Sequence, residues 1–246
     1  METSLHRELK QRYALPGAQL EVKLGNYRID VVNGRQLVEV QHGSLAAIRR
    51  KLQALLPEHP ILLVKPVIAR KMLIKQKRAG GKVVSRRMSP KQQSMIDAFD
   101  ELIYLTRVFP HPNLAIELVL VELEEWRYPG HGRRRRWRTS DYIVADQKLV
   151  AITNVHRLQS IWDLQNLLPE TLPKNFHSAD LAELLNVRRP VAQRIAYCLR
   201  QTGAAQQVGK LGNTRLYELT PMDIEVRAPK TAAKMLGPRK LRRRAA

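Results

Sequence analysis

Acidic residues are scarce in this 246-residue chain: 22 aspartates and glutamates stand against 43 lysines and arginines, which leaves a net charge of +21. Solubility alone does not require such an excess, so it predicts a polyanionic partner. Cysteine is nearly absent as well. The single Cys198 excludes a disulfide framework and a cysteine-based zinc site, and it fits a reducing compartment. We expect this thiol to be buried and reduced.

Long apolar runs are also missing. No run approaches the roughly 18 residues that indicate a membrane-spanning helix, and the N-terminus lacks the apolar core of a secretion signal. We therefore expect neither a membrane span nor secretion, and we expect a cytoplasmic, nucleoid-associated protein. The chain also lacks internal repeats, a Walker loop and the Rossmann glycine pattern.

The segment 21–41 predicts a three-stranded meander with a polar face. Gly25-Asn26 and Asn33-Gly34 are both two-residue hairpin signals. If each dipeptide forms the two central residues of its turn, the strand register is fixed. The numbers of two paired residues then add up to 51 across the first turn and to 67 across the second. Because strand side chains alternate, four polar residues then share one side: Glu21, Asp30, Glu39 and Gln41. The opposite side is an apolar core face: Leu20, Val22, Leu24, Ile29, Val31, Val38 and Val40.

The polar face has the geometry of a metal site. Diagonal neighbours on paired strands lie about 7–8 Å apart, so two carboxylates can hold one cation. Mg²⁺ prefers such hard oxygen ligands. The alternative is that these acids form the solvated face of an exposed meander.

The elements around the meander have a recognisable order. A short helix containing Glu8 precedes it and ends before Pro16-Gly17. After the meander, Ser44 is a predicted cap of a second helix, which Pro57 ends. The apolar stripe of that helix is Leu45, Ile48, Leu52 and Leu55. Residues 61–64 then read as a buried strand, which gives the order αβββαβ.

This arrangement resembles the PD-(D/E)xK nuclease superfamily, in which an acid on one strand is followed by acid-x-Lys on the next. Asp30 and Glu39-Val40-Gln41 match that pattern, and the resemblance covers about the first 68 residues. It implies an α/β (α+β, mixed-sheet) restriction-endonuclease-like core and a Mg²⁺- or Mn²⁺-dependent DNA endonuclease.

The resemblance also implies roles for individual residues. Asp30 would be the central metal ligand and Glu39 the second, with the Val40 carbonyl as a backbone ligand. Glu21 or Glu8 would be an auxiliary acid. Gln41 stands where the family usually has lysine; a glutamine can orient a water molecule but supplies no positive charge.

A run without acids follows this core. Between Glu58 and Asp97 there are ten cations: Lys65, Arg70, Lys71, Lys75, Lys77, Arg78, Lys82, Arg86, Arg87 and Lys91. Gly80-Gly81 interrupts the run, so we expect a helix, a loop and a short element through Val83-Val84. These cations predict contacts with phosphates; a solubilising surface is the alternative.

The region 92–174 predicts a helix over 92–108, a strand over 114–123, short strands over 142–144 and 149–152, and a helical connector up to Pro173. Between the strands lies an arginine-rich loop with aromatic residues, which suits insertion into a groove or stacking on a base. Its central residues are Arg133, Arg134, Arg135 and Arg136. A disordered basic loop is the alternative.

Residues 175–221 resemble a winged helix-turn-helix. Ser178 precedes a short apolar-faced helix, Pro190 fits the first position of a second helix, and Gly203 fits its C-cap. Two short strands around 210–214 complete the wing. Residues expected to face DNA from the second helix and the wing are Arg188, Arg189, Gln193, Arg194, Tyr197, Arg200 and Lys210. A winged helix that binds protein is the alternative.

We therefore predict a nuclease-like domain over 1–155 (core 1–68, basic extension 69–155), a connector over 156–174, the winged helix over 175–221 and a disordered basic tail over 222–246. The predicted function is Mg²⁺-dependent DNA cleavage in repair, recombination or defence. A non-catalytic DNA-binding regulator or architectural protein with a vestigial nuclease fold is the first alternative, and an RNA-binding or RNA-processing protein is the second. A homodimer is left open.

Overall fold

The computed structural model describes residues 2–130 and 141–222. The predicted arginine-rich positions Arg133–Arg136 and nearly all of the predicted basic tail lie outside these ranges. No helix in the described ranges is long and apolar enough to cross a membrane.

The first six elements are helix, three strands, helix and strand. Helix α1 (Ser4–Tyr13) begins at the N-cap Thr3, whose side chain accepts a hydrogen bond from the His6 N–H. The elements that follow are β1 (Gln19–Leu24), β2 (Tyr27–Asn33), β3 (Gln36–Val40), α2 (Arg49–Leu55) and β4 (Ile61–Gln76). The four residues of the predicted apolar stripe are all buried, but only Leu52 and Leu55 lie within α2. The prediction that Ser44 caps this helix is wrong, because the helix starts at Arg49 and its N-cap is Ile48.

The strands form one mixed seven-stranded sheet, which establishes the α+β character of the chain. Its order is β1-β2-β3-β4-β6-β7, where β6 is Leu114–Pro129 and β7 is Tyr142–Leu158. The β3–β4 and β4–β6 pairs are parallel and the other pairs are antiparallel. Strand β5 (Val83–Met88) pairs with the distal half of β4.

Both faces of the sheet are covered, because alternate residues of the central strand belong to different cores. On one face, Leu62 and Val64 of β4 pack with Leu5 and Leu9 of α1. On the other face lie Ile61 and Leu63, in a core that includes α2 and all the remaining helices. The long parallel strand is therefore apolar on both sides at its start, as buried parallel strands are.

The helix predicted after residue 68 is wrong, because β4 continues as a strand to Gln76. Strand β6 pairs with it from Ile61↔Leu114 to Lys75↔Arg127. Pro66 is tolerated in β4 because the other edge is open at that point: β3 pairs only as far as Val64, and β5 begins to pair at Met72.

Strand β7 is one strand of 17 residues, not two short ones, and it forms an edge of the sheet. Its pairing with β6 shifts at three places, opposite Leu120/Val121, Glu122/Leu123 and Trp126/Arg127. Each shift leaves one extra residue on β7, which is the pattern of a β-bulge.

The helical regions on either side of β6 and β7 are shorter than predicted. The helix expected over 92–108 is a run of three helical turns over 95–105, with α3 (Phe99–Leu102) at its centre. The expected connector is reduced to α4 (Ile161–Gln165), because Asn154–Leu158 still belongs to β7.

The C-terminal unit has two helices followed by a two-stranded wing. These elements are α5 (Ser178–Leu184), α6 (Arg189–Thr202), β8 (Ala205–Leu211) and β9 (Thr214–Leu219). The predicted cap of α6 is confirmed, since Gly203 has φ +82°. The start of α5 differs: His177, not Ser178, is the N-cap, in a capping box with Asp180. Pro190 is the second residue of α6, not the first.

This unit is not separated from the sheet by a break in the core. Ile195 and Leu199 of α6 are in the same apolar cluster as Phe99 and Leu102 of α3. The Cys198 thiol is buried and lies 3.8 Å from the Phe99 carbonyl oxygen, and burial raises its pKa to about 12. The expectation of a buried, reduced thiol is consistent with this site.

Because the core is shared, we expect the described part of the chain to unfold in one transition. Leu199→Ala should remove about 2–5 kcal/mol from the free energy of unfolding, since Leu199 is fully buried. Leu211→Ala is the matched control, because Leu211 is 64% exposed and its truncation should change stability by less than about 0.5 kcal/mol. Urea unfolding followed by far-UV and tryptophan signals gives the measurement. Two separate transitions, of which Leu199→Ala shifts only one, would contradict a shared core.

Candidate functional site

The meander carries the candidate site, and its second turn differs from the predicted one. The first hairpin has the predicted register, with sums of 51 such as Val22↔Ile29. In the second hairpin, the numbers of paired residues add up to 69 and not to the predicted 67, as in Val31↔Val38. The reason is that the turn is Gly34-Arg35 and not Asn33-Gly34. Asn33 stays in the strand, where its amide donates to the Tyr13 carbonyl (2.9 Å) and accepts from the Leu15 N–H (3.1 Å).

The corrected register brings the two principal acids together at a point where the strands separate. The β2–β3 ladder ends at Val31↔Val38. Just beyond it, the Val40 N–H donates to Asp30 Oδ2 (2.8 Å), and the Asp30 N–H donates to the Glu39 carboxylate. Each carboxylate therefore takes a main-chain donor that the ladder leaves free. The result is a pair of adjacent carboxylates in a gap between strands.

The prediction that all the polar side chains share one face is wrong. Glu39 lies on the same face as Leu37, which packs with α2, whereas Val38 and Val40 pack with α1. Asp30 instead meets α1. Asp30 and Glu39 therefore meet in the gap between β2 and β3. Helix α1 contacts Asp30 from one face of the sheet, and α2 contacts Glu39 from the other.

His6 of α1 is the partner of Asp30. Its Nε2 lies 3.1 Å from Asp30 Oδ2, and this hydrogen bond raises the pKa of the imidazole. Burial opposes ionisation of Asp30, but the hydrogen bonds from His6 and from the Val40 N–H still hold the pKa of the carboxyl below its ordinary value. Asp30 is therefore the ionised member of the pair.

Lys51 of α2 is the partner of Glu39, and its ammonium also contacts the Arg28 carbonyl. Glu39 is only 5% exposed. Burial raises the pKa of Glu39 to about 7, although the hydrogen bond and charge of Lys51 act in the opposite direction. The two acids thus differ: one is ionised at all ordinary pH values, and the other titrates near neutrality.

The remaining acids of the predicted site have different surroundings. Glu21 is ion-paired with Lys10 and Arg28, and it lines the same pocket on the α1 side as Asp30 and His6. Its φ of +56° marks a distortion of β1 opposite Asp30. Glu8 is not brought to the site, because it is two residues from His6 and so lies about 200° away around the helix.

Gln41 is directed away from the acid pair. Its Nε2 donates to the Ser44 carbonyl (3.0 Å) in the loop after β3. The same loop is held by the buried Lys65, whose ammonium donates to the carbonyls of His42 (3.0 Å) and Gly43 (2.7 Å). Gln41 and Lys65 therefore shape the end of β3 and do not contact Asp30 or Glu39.

Three residues of the site were missed in the sequence: His6, Lys10 and Lys51. Glu2, His6 and Lys10 recur every four residues and therefore share one face of α1, a signal that was available. Lys51 follows Arg49 and Arg50 in a run of three cations, and nothing local distinguishes it from its exposed neighbours.

The two acids differ in the oxygen atoms that they leave to a cation. Asp30 Oδ1 has no hydrogen bond among the described residues, and Glu39 Oε1 is buried without a hydrogen bond of regular geometry. Lys51 contacts that second oxygen. No group of three or more His, Cys, Asp or Glu side chains within 2–130 and 141–222 is arranged to hold a metal. An ion that completes its shell with water, as Mg²⁺ does, would take Asp30 Oδ1 and would have to displace Lys51 from Glu39 Oε1 to gain a second carboxylate oxygen.

The predicted nucleic-acid-binding residues of α6 are mostly on its exposed side. Arg188, Arg189, Gln193 and Tyr197 are exposed, and Arg200 is half-buried beside Tyr197. Arg194 differs from these residues: it is half-buried, and its Nε lies 3.0 Å from Asp100 Oδ1, so it pairs with an acid of α3.

The wing and the β4–β5 hairpin also expose cations. Lys210 lies on β8 and is exposed, as are Arg86 and Arg87 on β5. The wing turn is Gly212-Asn213, shorter than predicted because the strands reach Leu211 and Thr214. Arg86, Arg87 and Lys210 form no ion pair with an acid of the described ranges.

The chain matches, over residues 3–159, the model of the family described as a domain of unknown function, DUF8091. This is more than half of the chain, and the chain belongs to that family. The matched range contains the complete seven-stranded sheet and the acid pair.

A protein of Treponema pallidum (strain Nichols), described as an uncharacterized protein, is 31% identical over 222 residues. The alignment covers 89% of this chain and 86% of the relative, so the likeness extends beyond the family range into the C-terminal unit. No solved structure matches the chain significantly.

The raised pKa of Glu39 predicts a pH-dependent contribution to stability. The pKa of Glu39 is about 7 in the folded state, compared with an ordinary pKa of 4.5. Protonation of Glu39 therefore contributes to the free energy of unfolding in full below pH 4.5, and this contribution is lost as the pH rises through about 7. Relative to wild type, Glu39→Gln should therefore gain about 1–3 kcal/mol of unfolding free energy between pH 4.5 and pH 8. Urea unfolding in EDTA at several pH values gives this difference. Glu8→Gln is the control on the surface of α1, and a pH-independent effect of Glu39→Gln would refute the assignment.

Proposed function

We propose that this protein binds DNA through the exposed side of α6, the wing and the β4–β5 hairpin. The observation that carries the proposal is unbalanced surface charge on these three elements. Arg188, Arg189 and Lys210 are exposed on the C-terminal unit, and none has an acid partner among the described residues. Exposed cations without partners are the groups that phosphates attract.

The β4–β5 hairpin carries a second group of exposed cations. Its exposed cations are Lys75, Lys77, Arg78, Lys82, Arg86 and Arg87, again without an acid partner in the described ranges. By contrast, Lys71 is bonded to Glu125 (3.0 Å) within the sheet. The cations toward the end of the hairpin are therefore the ones available to a nucleic acid.

A recognition helix inserted in the major groove is the mode of docking that α6 favours. Its inner side is held by Ile195, Leu199 and the Arg194–Asp100 pair, so the helix is anchored to α3. Its outer side presents arginine, glutamine and tyrosine, which read base edges and phosphates.

The second proposed function is hydrolysis of the bound phosphodiester at Asp30 and Glu39, in repair, recombination or defence. The favouring observation is the gap between β2 and β3, where two carboxylates of unequal acidity lie side by side. Resemblance to the PD-(D/E)xK superfamily, with its αβββαβ order, adds support for this reading.

In such a reaction, Asp30 Oδ1 and Glu39 Oε1 would hold Mg²⁺ or Mn²⁺. The ion, when bound, supplies Lewis acidity at the scissile phosphate and lowers the pKa of a water molecule. His6 would keep Asp30 oriented. Lys51 would provide the positive charge that Gln41 cannot, because its ammonium already contacts Glu39.

Two alternatives belong to other classes of protein. In a non-catalytic DNA-binding regulator or architectural protein, Lys51 and His6 would permanently neutralise the acid pair. In an RNA-binding or RNA-processing protein, the same cations would contact an A-form helix.

Replacing Arg188 and Arg189 together with alanine should weaken duplex binding and make it less dependent on salt. The slope of log K against log salt should fall in magnitude by about 1–2, because each lost phosphate contact contributes about 0.9. Arg12→Ala with Arg50→Ala is the control pair, since both arginines are exposed on α1 and α2. Fluorescence anisotropy at several salt concentrations, with the same sequence as DNA and as RNA, gives the slopes. Equal effects of the two pairs would contradict docking by α6, and tighter binding to the RNA would favour that alternative.

Supercoiled, linear, branched and single-stranded DNA incubated with Mg²⁺ or Mn²⁺ tests hydrolysis. Asp30→Asn and Glu39→Gln should each lower the cleavage rate by at least about 100-fold, because each removes a metal ligand. Glu8→Gln should cleave like wild type, and binding should persist in all of these variants. Binding without cleavage by the wild-type protein on every substrate would favour the non-catalytic alternative.

A further inference from the structure

A pocket lies between α6 and the wing, on the side of α6 that follows Arg189 and Gln193. Three guanidinium groups line it, from Arg189, Arg200 and Arg215, together with the amides of Gln193 and Asn213. No acid is among the lining residues. This pocket differs from a flat basic surface because its cations surround a concave space.

The nearby acids of the C-terminal unit are occupied elsewhere. Glu218 lies 3.7 Å from Lys174, and Asp180 is bonded within the capping box of α5. The three lining arginines form no ion pair with an acid of the described ranges. Their charge is therefore left for a ligand.

Arg200 supplies the strongest indication of a missing partner. Its Nε is buried and has no hydrogen-bond acceptor among the described residues. A buried donor without an acceptor is costly, and native structures rarely leave one unpaired. Arg200 lines the pocket, so an anion bound there would bring acceptor oxygens next to its guanidinium group.

The floor of the pocket limits what this anion is. Ser178, Ala196 and Tyr217 are buried beneath it, at 8%, 2% and 7% exposure. The space is thus closed at the bottom and lined with guanidinium and amide donors around its sides. A compact anion with several acceptor oxygens suits this arrangement, and arginine binds phosphate oxygens in pairs.

We propose that the pocket between α6 and the wing is a phosphate-binding site in which Arg200 and Arg215 grip the oxygens of one phosphate group. The group is either a backbone phosphate or the terminal phosphate of a nucleic-acid strand. The assignment of this phosphate to a nucleic acid rests on the proposed DNA binding, whereas the phosphate-binding site itself does not. It adds a discrete, saturable site to a surface otherwise described by charge alone.

The test uses the full chain and two probes. Inorganic phosphate is titrated while the melting temperature is followed, and it is also used to displace a labelled duplex. The duplex is prepared with a 5′-phosphate and with a 5′-hydroxyl, otherwise identical. Arg200→Gln and Arg215→Gln are compared with Arg50→Gln, an exposed cation of α2 that is not part of the pocket lining.

Inorganic phosphate should raise the melting temperature of the wild-type protein saturably and compete with the duplex. Arg200→Gln and Arg215→Gln should each weaken the dissociation constant of phosphate about tenfold, as expected for loss of a charge-assisted bidentate contact. Arg50→Gln should change it less than about twofold. Arg215 is exposed, so its variant remains informative if Arg200→Gln fails to fold.

Preference for the 5′-phosphorylated duplex would assign the pocket to strand ends, and equal binding would assign it to the backbone. The proposal is overturned if phosphate neither stabilises the protein nor competes, or if the variants of Arg200 and Arg215 behave like Arg50→Gln. Wild-type protein that binds phosphate through Arg215 but binds no duplex would overturn the DNA-binding function and leave the pocket intact.

Discussion

The parallel pairing of β4 with β6 is the interaction on which the rest of the structure depends. It runs through 14 residue pairs and has only one register shift, between Ile68 and Arg70. The first half of this two-stranded spine is buried by α1 on one face and by α2 and the later helices on the other. The first half of β4 also pairs with β3, which carries Glu39, and the second half pairs with β5, so this strand positions both the acid pair and the basic hairpin.

The free edge of β4 explains how two unrelated elements share one strand. Strand β3 pairs with it up to Val64 and β5 from Met72 onward. Between them, Pro66 has no N–H to satisfy, and the main chain of Ile68 exchanges hydrogen bonds with Gln93, through its side chain (3.1 Å) and its N–H (3.0 Å). The main-chain groups of this interval are therefore satisfied without a strand, which leaves the acid pair and the hairpin as separate features of one sheet.

Local patterns predicted the parts of the fold that local chemistry decides. The Gly25-Asn26 turn, the apolar stripe that ends in α2 and the Gly203 cap follow from residues close to each other in sequence. The extension of β4 was missed because a short apolar run does not distinguish a strand from a buried helix. Its partner β6 begins about 50 residues later, and only that pairing decides the outcome.

In the candidate site, too, some features follow from neighbouring residues in the sequence and others depend on tertiary contacts. Asp30 and Glu39 were found from the spacing of the meander, but the true register depends on Asn33 holding the chain after α1. That choice is made by tertiary contacts with Tyr13 and Leu15, and no turn propensity encodes it. Likewise, His6 and Lys51 reach the acids from helices on opposite faces, so their roles exist only once the sheet has formed between them.

The three bulges of β7 have a consequence for self-association. A 17-residue edge strand with exposed valines would otherwise be a template on which a second copy could add a strand and begin an aggregate. Each bulge interrupts the regular repeat of N–H and C=O groups and turns the edge, so no long continuous register is offered. The irregular edge thus disfavours the addition of a strand from a second copy to β7.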